Sequence, residues 1–258
     1  MKTAGRMRTT TLALLLAGLT VGSGCLKMEA DLLLRKDATG KFSVEWWIRD
    51  NVTDQVQAVL RLQKQLAMLQ STNAPAIDNE GIMMQVLMPD QERLTKLIEP
   101  YTKYGVRVDH LRVDARDAQR HVTIRLLFDD LEKLAKADIF KRYGFNLSQR
   151  TNGDYQFSRT AVAPLDPKSI PPMKPADRRQ SLAPVLNGMS VVFNLFTPGR
   201  IKASNASSFQ TYRAQWAFRF EDDPNVLLTM QNQDMQVLFD GLDSRLPEVT
   251  GGGKPQEQ

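Results

Sequence analysis

The chain has 258 residues, a formal net charge of +5, two histidines and one cysteine. One cysteine excludes an internal disulfide, and it excludes a zinc site built from several cysteines and histidines. Three cations, Lys2, Arg6 and Arg8, lie at the N-terminus, so the net charge of +5 falls by three to +2 without them. A nearly neutral chain with no block of lysine and arginine argues against a nucleic-acid partner.

The first 24 residues have the layout of a secretory signal peptide. The three N-terminal cations are followed by an apolar run over residues 11–19 and by small residues at 22–24. The apolar run is shorter than the roughly 20 residues that a membrane-spanning helix needs. No later stretch is long and apolar enough, so we expect that the mature chain does not cross the membrane.

Cys25 directly follows these small residues, where a lone cysteine is informative. Residues 23–25, Ser-Gly-Cys, resemble the lipobox of bacterial lipoproteins, although Gly22 stands where leucine is usual. The resemblance implies cleavage before Cys25 and a membrane anchor of acyl chains, such as palmitate, attached through its thiol. Two or more acyl chains hold a protein stably on a membrane. The alternative is an ordinary cleaved signal peptide with an incidental cysteine.

The same resemblance implies a place in the cell envelope, with the domain facing the periplasm or the exterior. In Gram-negative lipoproteins, an aspartate directly after the cysteine commonly retains the protein at the inner membrane. Leu26 stands at that position here. We therefore expect the outer membrane if the source is Gram-negative.

The first half of the mature chain mixes strand and helix patterns. Apolar residues alternate with polar ones, as in strands, over residues 26–36, 42–48, 106–115 and 120–128. Apolar residues have helical spacing over 51–70, 90–104 and 131–143. Pro100 is expected to kink its helix, and a phase change near Asp109 predicts a β-bulge. The short apolar run 82–88 is either a strand or a buried turn.

The second half is dominated by strand patterns. They cover residues 145–149, 155–158, 189–195, 212–220 and a final edge strand over 235–240. Asn152-Gly153 predicts a type I′ turn between the first two of these strands. Five prolines exclude regular structure from 161–176, which either wraps the surface or covers a groove. A short helix is predicted over 177–186.

Strands grouped in hairpins, with helices between the hairpins, indicate an α+β fold. We expect an antiparallel β-sheet built of hairpins with helices packed on one face. Residues 1–24 are the predicted signal peptide, and residues 25–245 form one membrane-anchored domain. Residues 246–258 are a polar tail that we expect to be disordered.

Several segments together resemble the LppM-like domain of bacterial lipoproteins. They are the cysteine followed at once by a strand, the turn over residues 37–42, the late segment 196–206 and the strand that contains Trp216-Ala217-Phe218. The resemblance touches most of residues 25–220. It implies a membrane-anchored α+β domain that binds lipid or glycolipid, and it implies no catalytic residue.

The sequence contains no recognisable catalytic set. His110 and His121 fall on predicted strands, and we interpret them as ordinary strand residues. Asp129-Asp130 is expected to cap a helix, and the acidic residues 221–223 are expected to form a turn before Pro224. No Gly-x-Ser-x-Gly or phosphate-loop motif is present. The sequence therefore predicts a protein that is not an enzyme and that uses no metal or cofactor.

The three tryptophans and one methionine are the candidate ligand contacts. Trp46 and Trp216 fall on the apolar faces of their strands, where they belong either to the core or to a groove lining. Trp47 falls on the polar face and suits a membrane interface. Met173 lies in the proline-rich segment and would line a cover over a groove. These residues favour binding of a lipid or another apolar ligand. The alternative is a structural lipoprotein with a filled core that binds another envelope protein.

Overall fold

The computed structural model describes residues 26–37, 39–50, 54, 88–136, 144–160 and 174–241. In these residues the chain forms two β-sheets with four short α-helices and one 3₁₀-helix. The first sheet has seven strands in the order β3-β4-β2-β1-β7-β10-β9. The second has four strands in the order β5-β6-β11-β8. An α+β or mainly β class is therefore supported, while the packing of helices on one face stays a prediction.

Most strands follow the sequence patterns, but the elements over residues 201–204, 208–209 and 226–232 were not predicted. The strands of the seven-stranded sheet are β1 (Leu26–Leu34), β2 (Gly40–Arg49), β3 (Val106–Arg116), β4 (Gln119–Phe128), β7 (Ser190–Phe196), β9 (Ser208–Phe209) and β10 (Arg213–Arg219). Those of the four-stranded sheet are β5 (Phe145–Gln149), β6 (Tyr155–Arg159), β8 (Ile201–Ser204) and β11 (Met235–Phe239). The α-helices are α1 (Gln91–Ile98), α2 (Leu131–Lys136), α3 (Pro175–Leu186) and α4 (Val226–Asn232). The predicted helix 51–70 and the run 82–88 lie outside the described residues, except for Asp54 and Met88.

The hairpin of β1 and β2 confirms the first strand prediction. Its turn is held by Asp37, whose carboxylate accepts hydrogen bonds from the Thr39 hydroxyl at 2.7 Å and the Thr39 backbone N–H at 3.1 Å. These bonds lower the pKa of Asp37 because they favour its charged form, and the bond from the hydroxyl has the larger effect. At Gly40 an added Cβ would collide with the Phe128 ring and the Leu33 carbonyl oxygen, so only glycine fits there.

The pairing of β1 with β7 departs from the predicted antiparallel sheet. These two strands run parallel, with Lys27 opposite Ser190 and Leu33 opposite Phe196, so the sheet is mixed. A parallel pair needs a long crossover connection, which here is all of the chain between the two strands. Local alternation predicts strands and hairpins, but it carries no signal for a pairing between strands so far apart.

Two further predictions about the strands were wrong. The strand β11 was expected at an edge, but it lies between β6 and β8. The turn between β5 and β6 is a five-residue loop, 150–154, in which only Gly153 has positive φ. The two-residue turn of the primed kind joins β3 and β4 instead, where Asp117 and Ala118 have φ of 52° and 56°.

The predicted bulge is confirmed, and the helix that Pro100 was expected to kink changes to a 3₁₀-helix instead. The α1 helix ends at Ile98, and Glu99–Tyr104 continues as a 3₁₀-helix that Gly105 ends with φ of 76°. The α1 N-terminus is capped by Asp90, which accepts a hydrogen bond from the Arg93 backbone N–H at 2.9 Å. The register of β3 against β4 shifts between Val108 and His110.

The apolar faces of both sheets meet in one core. Its fully buried members include Leu32, Phe128, Leu195, Phe157 and Phe239, the first three from the seven-stranded sheet and the last two from the four-stranded sheet. A smaller cluster beside it joins Trp46 and Val122 to Leu94 of α1. The second face of the seven-stranded sheet carries most of the charged residues of the same strands.

Candidate functional site

Two of the predicted site residues, Cys25 and Met173, lie outside the described residues. Leu26, the next residue after Cys25, already belongs to β1. The strand β1 has three strands on either side of it, so it is the middle strand of the seven-stranded sheet. An anchor on Cys25 would therefore join the centre of the sheet directly, without a linker.

Trp46 and Trp216 lie in the core. Their exposed fractions are 4% and 2%, and the Trp216 ring lies 5.9 Å from the Phe193 ring, centre to centre. The indole N–H of Trp216 is buried and has no hydrogen-bond partner in the described part of the chain. This placement agrees with the core interpretation of both residues. A ligand-contact role for them stays a prediction.

Trp47 lies on the opposite face of the sheet and is half-buried. Its ring stacks on His121, with 4.6 Å between the ring centres and 5° between the planes. The His121 Nε2 atom lies 3.8 Å from a Glu45 carboxylate oxygen and 3.4 Å from the Thr123 hydroxyl oxygen. The sequence pattern placed Trp47 on the polar face, and the register of β2 against β4 explains its contact with His121.

A hydrogen-bonded cluster surrounds Asn194 on the same face. The Asn194 amide nitrogen donates to Glu29 at 3.0 Å and to Asp31 at 2.7 Å. Its amide oxygen accepts from Arg213 at 2.9 Å and from Gln215 at 3.0 Å. Asn194 is 1% exposed, so these bonds satisfy a buried polar side chain. No sequence pattern singled out Asn194, because its partners come from β1 and β10.

An open cleft lies where edge strands of the two sheets meet. It has a volume of 480 Å³ and is lined by Arg200, Ile201, Lys202, Phe209, Gln210, Thr211 and Asp240. The Ile201 N–H donates to the Thr211 carbonyl oxygen at 2.8 Å and so joins β8 to the loop before β10. The cleft combines two apolar side chains with two cations, the Asp240 carboxylate and further hydrogen-bonding groups. It can therefore accept a ligand with an apolar part and an anionic part.

One cation of the cleft is held by a buried carboxylate. Lys202 Nζ lies 2.6 Å from Asp154, whose side chain is 5% exposed. The hydrogen bond to Asp154 raises the pKa of Lys202, and burial opposes this shift. Arg200, by contrast, is exposed, and its side chain forms no ion pair within the described residues. Arg200 is therefore the cation of the cleft that is free to meet a ligand.

Two aromatic side chains at this corner are exposed. Phe209 is 49% exposed and lines the cleft, and Tyr212 is 53% exposed. The alternation over 212–220 placed Tyr212 on the buried face together with Trp216, and this was wrong. The strand begins one residue later, at Arg213, because Tyr212 still belongs to the loop. Short loops lack periodicity, so no sequence pattern predicted this cleft.

Two features are absent from the described residues. No three histidine, cysteine, aspartate or glutamate side chains are grouped there as metal ligands. None of the helices in the same residues has the length and apolar character that crossing a membrane requires.

Comparison with known proteins finds distant likenesses in structure. No protein-family model matches the chain, and no curated protein is significantly similar to it in sequence. The solved structures that resemble it include the NMR structure of the folded domain of LppM from Mycobacterium tuberculosis. That domain is 16% identical, with a TM-score of 0.39, over 86% of this chain and 94% of the domain. The likeness is too distant to carry a conclusion about function.

Proposed function

We propose that the chain is a membrane-anchored lipoprotein of the cell envelope, without enzymatic activity, that binds a lipid or another apolar ligand. The observation that supports the lipid anchor is the position of Cys25, between a signal-like segment and the first residue of β1. A domain attached to acyl chains without a linker stays close to the bilayer surface, where lipids are the most abundant ligands.

The cleft between β8 and the loop before β10 is the proposed ligand site. Phe209 and Ile201 supply apolar surface, and Arg200 supplies a cation that is open to solvent. Ligand sites typically combine a concave apolar wall with a few polar groups that fix orientation. An amphipathic molecule with an anionic head fits this chemistry better than a purely apolar one.

The anchor is tested by metabolic labelling. Full-length protein expressed in a bacterium should incorporate labelled fatty acid and partition with the membranes. Cys25→Ser should abolish the label, because the thiol is the attachment point. A Cys25→Ser chain that still carries fatty acid would contradict the anchor.

Ligand binding is tested on the Cys25→Ser chain purified from bacteria. Native mass spectrometry should detect co-purified lipid, and titration with membrane lipids should give a saturable response. Phe209→Ala should weaken binding about tenfold, because it removes an aromatic wall of the cleft. Leu227→Ala is the control, since Leu227 is exposed to a similar extent, 45% against 49%, and does not line the cleft.

A second candidate function is structural. Trp46 and Trp216, which were expected to line a groove if one existed, are packed in the core at 4% and 2% exposure. A filled core favours a lipoprotein that acts by binding another envelope protein. Absence of co-purified lipid, together with no response to lipid titration, would favour this candidate.

A further inference from the structure

The polar face of the seven-stranded sheet carries more cations than carboxylates. On the half formed by β3, β4 and β2 the cations are Lys41, Arg49, Arg107, Arg112, Arg116 and Arg125, and the carboxylates are Glu45, Asp109 and Asp114. The half formed by β1, β7 and β10 adds Lys27, Arg213 and Arg219 against Glu29 and Asp31. Nine cations against five carboxylates give this face a formal charge of +4, although residues 25–258 together carry only +2.

The carboxylates of this face all have partners. Asp109 pairs with Arg125 at 3.4 Å, and Asp114 pairs with Arg112 at 2.8 Å. Glu45 lies 3.8 Å from His121, and Asn194 holds both Glu29 and Asp31 through its amide nitrogen. Negative charge on this face is therefore already engaged by neighbouring groups.

Four cations of the face have no such partner. Lys27, Lys41, Arg49 and Arg116 form no ion pair or side-chain hydrogen bond within the described part of the chain. By contrast, Arg107 pairs with Asp129 at 3.4 Å, and Arg219 lies 3.8 Å from Asp222. Cations that do not stabilise the fold by pairing are available to an anionic partner.

Three of these four cations lie at one end of the sheet. Arg116 and Arg49 both face Gln119, one on each side, so they are two strands apart, or about 10 Å. Lys27 lies on β1 directly opposite Trp47 of β2. We call this group the anchor-end patch, and it consists of Lys27, Arg49, Arg116 and Trp47. Asp117, in the adjoining turn, and Glu29, two residues after Lys27 on the same face, are nearby carboxylates without an ion pair in the described part of the chain.

The anchor-end patch lies where the chain enters the sheet. Lys27 is two residues after Cys25, and its side chain lies on the charged face. This step depends on the proposed function, in which Cys25 is acylated. The patch then lies within a few residues of the bilayer surface. Clustered cations next to a lipid anchor bind anionic headgroups, and a tryptophan suits the interfacial region.

We propose that the anchor-end patch binds the anionic lipid headgroups of the leaflet that carries the anchor, with Lys27, Arg49 and Arg116 meeting headgroup phosphates. This contact fixes the orientation of the domain on the membrane. Because β8 and the cleft lie towards the other end of β7 and β10, near Phe196 and Arg213, the cleft then points away from the bilayer.

The test uses the full-length Cys25→Ser chain, so that acylation does not contribute. Its binding to phosphatidylcholine vesicles is compared with its binding to vesicles in which about a third of the lipid is phosphatidylglycerol. The combined variant Lys27→Gln, Arg49→Gln and Arg116→Gln should lower the preference for anionic vesicles by about a hundredfold, at roughly fivefold per charge. Raising the salt to about 1 M, where the Debye length is about 3 Å, should remove the preference.

The matched control changes the same number of charges elsewhere. Arg93, Lys136 and Arg179 are exposed cations of α1, α2 and α3 that form no ion pair within the described residues. Their combined substitution by glutamine should leave the vesicle preference within about threefold, since they lie off the patch. The charge-conserving variant Lys27→Arg, Arg49→Lys and Arg116→Lys should retain the preference and serves as a check on folding.

A spectroscopic measurement locates the contact. The chain has three tryptophans, of which Trp46 and Trp216 are buried, so a shift in emission on adding anionic vesicles should come from Trp47. Trp47→Phe should remove the shift. A shift that survives this substitution would overturn the placement of the patch at the bilayer.

The remaining outcomes also decide the proposal. No preference of the parent chain for anionic vesicles, or an equal loss in both glutamine variants, would overturn it. So would binding to an acidic polypeptide such as polyglutamate without binding to vesicles, which would indicate a protein partner. A patch-dependent preference without fatty-acid labelling of Cys25 would support headgroup binding while contradicting the anchor, so the two proposals fail separately.

Discussion

The two faces of the seven-stranded sheet are built from alternate residues of the same strands, and they differ in what they do. On one face Leu32, Ile48, Leu195 and Trp216 are nearly fully buried against the rest of the core. On the other face Arg107 and Arg112 keep 70% and 56% of their side-chain surface exposed. Since successive side chains of a strand point to opposite faces, a single strand serves both.

Substitutions on the two faces should therefore affect different properties, namely the stability of the fold on the packed face and binding on the charged face. Burial of apolar surface is the dominant favourable contribution to folding, so substitutions on the packed face act on the free energy of unfolding. Exposed ion pairs contribute little, typically below about 1 kcal/mol. Charges on the open face are therefore free to serve binding, and their removal should be visible in binding rather than in stability.

The largest expected effect on the free energy of unfolding comes from replacing a buried tryptophan, and a half-buried tryptophan provides the comparison. Trp216→Ala should lower the free energy of unfolding by about 3–5 kcal/mol, because it leaves a cavity among buried side chains. Trp47→Ala should cost about 1.5 kcal/mol or less, since it removes a half-buried ring and one stacking contact with His121. Urea unfolding of both variants measures the difference. Equal losses would break the comparison between the two faces.

A smaller but similar contrast exists within β2. Gly40→Ala should lower the free energy of unfolding by about 2–3 kcal/mol, because the new methyl group collides with the Phe128 ring and with backbone at Leu33. Ser43→Ala, on the charged face of the same strand, should change it by less than about 0.5 kcal/mol. Thermal unfolding of the two variants gives the comparison, and an unchanged midpoint for Gly40→Ala would contradict it.

Asn194 is the exception on the charged face, because it is buried. Asn194→Asp should lower the free energy of unfolding by about 1–3 kcal/mol at neutral pH, since it replaces the donor to Glu29 and Asp31 with a third carboxylate. The cost should shrink as the pH falls, because protonation of any one of the three relieves the repulsion. Asn146→Asp, at an exposed position of β5, is the control and should have little effect at any pH.

Much of the local structure could be predicted from the sequence. The alternation of apolar and polar residues predicted the hairpins, and its phase change near Asp109 predicted the bulge. Gly105 marked the end of the helical segment, because glycine tolerates positive φ, whereas the change to a 3₁₀-helix beside Pro100 was expected only as a kink. These features depend on neighbouring residues, so the sequence pattern contains them.

What the sequence could not predict depends on contacts between distant segments. The parallel pair of β1 and β7 and the central place of β11 follow from the assembly of the whole sheet. The anchor-end patch likewise needs the register of β1, β2, β3 and β4, which brings Lys27, Arg49 and Arg116 to one end. Asn152-Gly153 has the composition of a tight turn, yet the Asn152 side chain bonds to Asp154 within a longer loop.

The smallest expected effect concerns a charged pair outside both faces, between Lys202 and Asp154. The hydrogen bond to Asp154 raises the pKa of Lys202 in the folded protein above its ordinary value of 10.5. A raised pKa means that the pair stabilises the fold below pH 10.5 and that this contribution is lost as the pH rises through the folded pKa. Lys202→Met should therefore destabilise the protein slightly at neutral pH, and the difference from the parent should shrink in strong alkali. In an Asp154→Asn background, the same substitution should show no such pH dependence.

Lys27→Met, which removes an unpaired cation of the patch, should leave the free energy of unfolding within about 0.5 kcal/mol of the parent at neutral pH. A loss for Lys27→Met as large as that for Lys202→Met would mean that the patch stabilises the fold, and the charged face would then resemble the packed one.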